Sequence, residues 1–203
     1  MIDEKEIGKF FEKLLENSKH FIKSEFKLEL THSDYKLISD LDWNKLCNEK
    51  NWCKNKEGKY NIEENPHMAY VRIEKDFFIS TLFHELFGHG LYAEYSKVHG
   101  INKDEKKENY SNLGVFTFNE IEKVTNKPED SFDKWQFMNN EGFACWVESI
   151  LCEKNNYINL WLCKARLLKI QYEQFFKCYE RFKEVEVNEG KAGVMKKLGF
   201  PGF

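Results

Sequence analysis

Apolar side chains recur along residues 3–23 at Ile7, Phe10, Phe11, Leu14, Leu15, Phe21 and Ile22. Spacings of three and four keep them on one helical face, so the segment reads as an amphipathic packing helix. Residues 33–47 read as a second helix, with Ser33 or Asp34 as its cap and Leu37, Leu41 and Leu46 turned inward. The beat then changes. Residues 59–62 and 68–73 alternate apolar and polar positions around Glu63-Glu64-Asn65-Pro66, the pattern of a hairpin or two short strands. A helix capped by Asp76 follows, running through Leu82, Phe83, Leu86 and Leu91 toward Tyr95. Residues 102–109 are charged and read as a surface loop. Residues 113–118 are apolar and alternating, a strand or a lid segment. Pro128 closes that region before a buried helix that begins near Ser131. From 157 to 185, Trp161, Leu162, Ala165, Leu168, Tyr172, Phe175, Phe176, Tyr179 and Phe182 keep a helical beat, expected as one long helix packed over the earlier ones. The apolar tail, residues 198–203, is expected to dock. The pattern therefore predicts a mainly α (α+β) protein, with a short hairpin or small sheet, in a single domain over 1–203.

Composition narrows the class without naming a function. Hydrophobic residues make up 41% of 203 and aromatic ones 16%, enough for a real core beside 32% charged residues. A net charge of −3 gives no bias toward nucleic acid or an anionic membrane, so neither is expected as a partner. The cysteines at 47, 53, 145, 152, 163 and 178 form no C-x-x-C pair, which fits free thiols in a reducing compartment. The first residues lack the basic-then-apolar layout of a signal peptide, and no apolar run approaches membrane-spanning length. A cytoplasmic location is expected.

The chemistry concentrates at His84-Glu85-Leu86-Phe87-Gly88-His89. Two imidazoles bracketing a glutamate on a helix are the makings of a hydrolytic zinc site, but the usual spacing is H-E-x-x-H. Here the two His are five apart. At about 100° per residue they would stand about 140° apart on a regular α-helix, too far round to share one ion. A π-bulge would bring them back onto one face, and such bulges occur mostly at functional sites. Gly88 falls inside the interval, where its missing side chain relieves crowding at roughly 1 kcal/mol of helix propensity.

A catalytic zinc takes three protein ligands and keeps a fourth position for water. Glu141 is the best candidate for the third, because an acid leading the apolar run Gly142-Phe143-Ala144-Cys145-Trp146-Val147 is costly to bury without a positive partner. Glu148, seven residues on and on the same face, reads either as a partner that orients a His ring or as a surface carboxylate. Glu94, five residues past His89, is a rival ligand on the same helix. His99 follows His89 by ten residues and misses the six-residue interval of the three-His motif. It reads as a cap before Gly100.

His84 to His89, followed by Asn140-Glu141-Gly142-Phe143-Ala144, resembles the H-E-x-x-x-H and Q-E-G-L-A pair of the Q-E-G-L-A-motif metallopeptidases, the group that includes the tubulin tyrosine carboxypeptidases. Asn140 stands for the Gln and Phe143 for the Leu. The first motif is also similar to H-E-L-L-G-H of the dipeptidyl peptidase III family, with Phe87 the exception. That family's E-E-C-R-A-E is matched only at Glu141 and Ala144. Either resemblance implies a gluzincin-like, zincin-type fold in which His84, His89 and Glu141 hold zinc and Glu85 activates water. It also implies a strand beside the metal helix whose free edge takes the substrate backbone. Residues 69–73 would be that strand, with Arg72 meeting a substrate carboxylate or, more plainly, standing exposed on the strand.

On this reading the protein is a zinc peptidase acting on peptides or protein tails, with Glu85 as general base. Tyr92, Arg166, Tyr172 and Tyr179 compete for the role of oxyanion donor, and the sequence does not rank them. The alternative is a silent zinc-binding regulatory or interaction protein. Glu85 argues against it, since a structural site needs no base. A di-iron protein would require paired E-x-x-H motifs, which are absent. His and carboxylate ligands also suit cobalt, manganese and iron.

Overall fold

The computed structural model describes residues 4–125 and 128–203. It is mainly helical with one small three-stranded sheet. The opening helix α1 (Glu4–Phe26) buries Phe11, Leu14, Leu15 and Ile22 along the expected stripe, while Phe10 stays exposed, edge-on to Phe11. Asp3 and the side chain of Ile7 lie outside the described residues.

Residues 33–47 are not one helix. They form strand β1 (Ser33–Ile38) and then helix α2 (Asp40–Lys50), capped by Ser39, whose hydroxyl accepts from the Asp42 amide. Ser33 and Asp34 cap nothing. The helix buries Trp43 and Cys47, and Leu41 faces solvent. The expected hairpin is present as β2 (Gly58–Asn61) paired antiparallel with β3 (His67–Arg72). β1 pairs parallel with the other side of β3, from Ser33 opposite His67 to Ile38 opposite Arg72. β3 is thus the central strand. Ala69 and Val71 face the main core, whereas Met68 and Tyr70 pack with Trp43 and Cys47 in a smaller cluster under α2. With both sides paired, β3 has no free edge for a substrate, contrary to the expectation for residues 69–73.

The chain then enters a helix in three parts: α3 (Phe78–Leu82), a π-helical stretch (Phe83–His89) and α4 (Gly90–Tyr95). Phe77 holds the N-cap position without a side-chain bond, so Asp76 is not the cap. A short helix, α5 (Lys97–Gly100), leads into the charged loop at 102–109, mostly exposed as expected. Residues 113–117 are turns rather than a strand or lid. Asn139 ties them down by bonding the backbone of Phe116 on both sides, and α6 (Phe118–Val124) follows behind a Thr117–Glu120 capping box.

The long helix α7 (Ser131–Lys154) crosses the π-helical stretch, and beyond it the expected single helix divides at Tyr172 into α8 (Ile158–Gln171) and α9 (Glu173–Lys197). Trp161 against Tyr179 and Lys169 over Phe176 show the two running antiparallel. α9 packs on α7 so closely that a Cβ on Gly142 would lie 2.5 Å from the Phe182 ring. The tail docks through Leu198 and Phe200, the latter 5.2 Å from the Phe143 ring. Among the described residues no helix is long and apolar enough to cross a membrane. All six cysteines are free thiols.

Candidate metal centre

The π-helical turn is what brings His84 and His89 together. Wider turns accommodate one extra residue, so side chains five apart share a face. Their ring centroids are 4.7 Å apart with planes at 88°. Gly88 sits at a tight crossing: a Cβ there would lie 2.6 Å from the Ala144 Cα and 2.8 Å from its Cβ. Its smallness serves the approach of α7 more than the helix's own geometry. Ala144 is small for the same contact, and the crossing sets Glu141, three residues earlier on α7, against both imidazoles.

His84 Nε2 lies 3.4 Å from Glu141 Oε2, and His89 Nε2 lies 3.8 Å from Glu141 Oε1. Two ligand atoms each about 2.1 Å from a tetrahedral zinc are about 3.4 Å apart, so each His–Glu141 distance taken singly is close to that of two ligands on one ion, the two imidazoles facing different oxygens of the carboxylate. The opposite ring nitrogens are already engaged. His84 Nδ1–H donates to Glu148 Oε2 at 3.0 Å, and His89 Nδ1–H donates to Asn140 Oδ1 at 2.8 Å. A donor at Nδ1 fixes the tautomer that leaves each Nε2 lone pair free for a metal. Glu85 is on the same side, its Oε2 3.9 Å from His89 Nε2. Ligand atoms of His84, Glu85 and His89 all fall within 4.8 Å of one another, as do those of His84, Cys145 and Glu148. The second set lies on the Nδ1 side of His84, where Glu148 is sealed at 0% exposure. The first opens to solvent, with 10–16% of the side-chain surface of His84, Glu85, His89 and Glu141 exposed.

The buried carboxylates and imidazoles act strongly on one another. Burial alone would raise the Glu141 carboxyl, yet His89 and His84 hold it down at about 2. Burial alone would lower the His84 imidazole, but Cys145, Glu141 and Glu148 outweigh it and push it well up. Here the imidazoles themselves supply the positive charge that the buried carboxylates require; a divalent ion held among the same groups would take over that part.

A scan against protein-family models finds no match, and neither does a search of curated proteins or of solved structures. The centre therefore has to be read from its own geometry.

Several residues marked in the sequence fall elsewhere. Glu94 spends both oxygens on the backbone and hydroxyl of Thr31, the His32 amide and the Ser33 hydroxyl, at 2.8–3.0 Å, and is a clamp between α4 and the start of β1. His99 lies in the last turn of α5 beside the Tyr92 ring, where burial first and then His67 and His89 lower its pKa. Arg72 is neither exposed nor turned to a substrate. It is buried, bonded to Asp40 at 2.7 Å and to the carbonyls of Lys54 and Lys56, with its guanidinium over Trp43. Of the oxyanion candidates, Arg166 and Tyr172 are exposed, Tyr179 packs on Trp161 and Phe176, and Tyr92 is buried against Phe143.

Other residues about the centre drew no attention in the sequence. Gly58 of β2 packs on Glu85: a Cβ there would lie 2.8 Å from Glu85 Cγ. The Tyr60 ring leans over His89 at 6.3 Å, its hydroxyl held by Ser33 and by His67 Nδ1. Lys164 pairs with Glu148 at 2.6 Å. Lys164 had a signal available, since it shares the inward stripe of α8 with Trp161, Ala165 and Leu168. Gly58 and Tyr60 had none, because their neighbours come from distant segments.

Proposed function

We propose that this protein is a zinc-dependent peptidase of the zincin type, acting on peptides or protein tails. His84, His89 and Glu141 would hold the ion. The convergence of both Nε2 atoms on the two oxygens of Glu141, with each Nδ1 occupied by a separate partner, carries the reading. When bound, zinc supplies a Lewis acid that polarises a carbonyl and makes water acidic near neutral pH.

Glu85 is the general base. It shares the open side of the site with the ligands, and its carboxylate takes a proton from the attacking water and returns one to the leaving amine. Thr81 and Gly58 wall in its side chain. The π-helical turn and α7 hold the ligands on buried, closely packed backbone, which keeps them aimed without reorganisation. A strand edge for the substrate, if one is used, belongs to β2 rather than β3. β2 pairs on one side only among the described strands and touches Glu85.

Metal content of wild type, Glu141→Ala and Glu85→Gln, purified without added metal, tests this together with cleavage of a mixed peptide pool. About one zinc in wild type and Glu85→Gln, loss in Glu141→Ala, and cleavage by wild type alone are expected. Stoichiometric zinc without cleavage would favour a silent zinc-binding protein, and absence of metal from wild type would remove the reading altogether.

A further inference from the structure

Behind His84, on the side away from Glu141, lies a sealed polar chain that the mechanism above does not use. Glu148 is fully buried on α7, and both of its oxygens are committed. Oε2 accepts from His84 Nδ1–H at 3.0 Å. Oε1 accepts from the Ser80 hydroxyl of α3 and from the Lys164 ammonium of α8 at 2.6 Å. The Lys164 side chain is itself only 14% exposed. Four segments of the fold therefore meet at one carboxylate. A charge buried to this degree is tolerated only when paired and hydrogen-bonded, and among the described residues Lys164 is the one Lys or Arg paired with Glu148.

We propose that Lys164 is a positioning residue for the metal centre: through a buried charged hydrogen bond it holds the Glu148 carboxylate in the orientation that fixes the His84 ring. The proposal rests on the reading of His84, His89 and Glu141 as metal ligands. Two points favour this role over a general contribution to packing. An isolated Glu148 carboxylate would have two oxygens and one fixed direction, the His84 N–H, leaving it free to swing about that bond. Lys164 and Ser80 converge on the other oxygen and remove the freedom. Second, Cys145 Sγ lies 3.9 Å from His84 Nδ1. The ligand atoms of His84, Cys145 and Glu148 already lie within 4.8 Å of one another, and the Lys164 ammonium on Oε1 supplies the positive charge there, which disfavours a cation among them.

The test compares zinc affinity, by chelator competition, in wild type, Lys164→Met and the double variant Lys164→Met/Glu148→Gln, with folding verified by circular dichroism. Loss of the partner bonded to a metal-bound His weakens metal binding by about 10- to 100-fold, so Lys164→Met, which leaves Glu148 but frees its orientation, is expected to bind zinc about tenfold more weakly, at the lower end of that range. Gln at 148 still offers a carbonyl oxygen to the His84 N–H and carries no charge needing a cation, so the double variant should recover most of the loss. The His84 Nδ1–H resonance in ¹⁵N-correlated spectra should shift or broaden in Lys164→Met and sharpen again in the double variant. Wild-type affinity and an unchanged His84 signal in folded Lys164→Met would overturn the proposal, leaving the metal reading intact. So would a double variant no better than the single one. If Lys164→Met does not fold, the double variant decides: near-wild-type affinity supports the role, and weak binding overturns it. Absence of zinc from wild type would overturn both the proposal and the reading beneath it.

Discussion

A methyl group on Gly58 would lie 2.8 Å from Glu85 Cγ, 2.8 Å from Thr81 Cγ2 and 3.0 Å from the Tyr70 carbonyl. The backbone oxygen cannot yield cheaply, so the strain falls on the two side chains, and Glu85 is the one proposed as the base. Gly58→Ala is expected to cost about 1–3 kcal/mol of stability, as overpacking does. It should also displace the carboxylate enough to lower kcat by about a hundredfold. Zinc stoichiometry should hold, since Glu85 is not among the proposed ligands. Measuring kcat and bound zinc on the same sample checks this, and an unchanged kcat would disconnect β2 from the base. At this scale the sequence disclosed the residues whose chemistry is unusual where they stand. His84, Glu85 and His89 were legible because their spacing has few other uses, and Glu141 because an acid in an apolar run needs a partner. Asn140 and Gly58 were not. In the sequence Asn140 is only a motif position with no role and Gly58 carries no mark at all, because what gives each its role is a neighbour 51 or 27 residues away in the chain.

Elements were legible where local pattern decides them and illegible where a distant pairing does. The π-helical turn could be foreseen because two His five apart on a helix have no other way to meet. β1 could not. Its apolar residues fit a helix as well as a strand, and only the parallel pairing with β3, 34 residues away, selects the extended form. The division of the last helical run at Tyr172 is likewise silent in the apolar beat, which continues unbroken across it. Asp40 shows how such elements are joined. Its carboxylate, at the start of α2, accepts from Arg72 of β3 at 2.7 Å and pairs with Lys75 at 3.2 Å. The Arg72 guanidinium, with help from Lys75, pulls its pKa from 3.8 to about 2 against burial. Because the folded value lies below the ordinary one, the stabilisation is fully present above 3.8 and disappears as pH falls through about 2. Asp40→Asn should therefore lower the urea midpoint at neutral pH, and the gap to wild type should narrow in acid. Paired urea titrations, carried down to the lowest pH at which both proteins fold, check it. A gap independent of pH would assign Asp40 a role in helix geometry rather than charge.

The whole molecule is organised around α7, which meets the π-helical turn on one side and α8 and α9 on the other. Its buried aromatics Phe143 and Trp146 tie α1, α9 and the C-terminal tail, and Trp135 ties Tyr110 and Phe118, into one core that also contains Phe83, Leu86 and Phe87 from the site helix. The proposed ligands come from two of these packed segments, so an ion held between them would be a cross-link inside the core. Folding and metal binding are then linked. An ion that binds the folded chain alone adds about 2.7 kcal/mol at a free concentration a hundredfold above Kd and about 4.1 at a thousandfold. In a chain of this size 4 kcal/mol corresponds to about 10 °C in Tm. Chelation should lower Tm by that order, restored by zinc in proportion to the logarithm of its free concentration. The variants separate the contributions. Glu85→Gln should keep the full zinc-dependent shift, because the base is not needed to hold the ion, whereas Glu141→Ala should lose it and melt at the same temperature with or without chelator. A zinc-dependent shift that survived in Glu141→Ala would move the third ligand to Glu85, the other carboxylate within reach of both imidazoles.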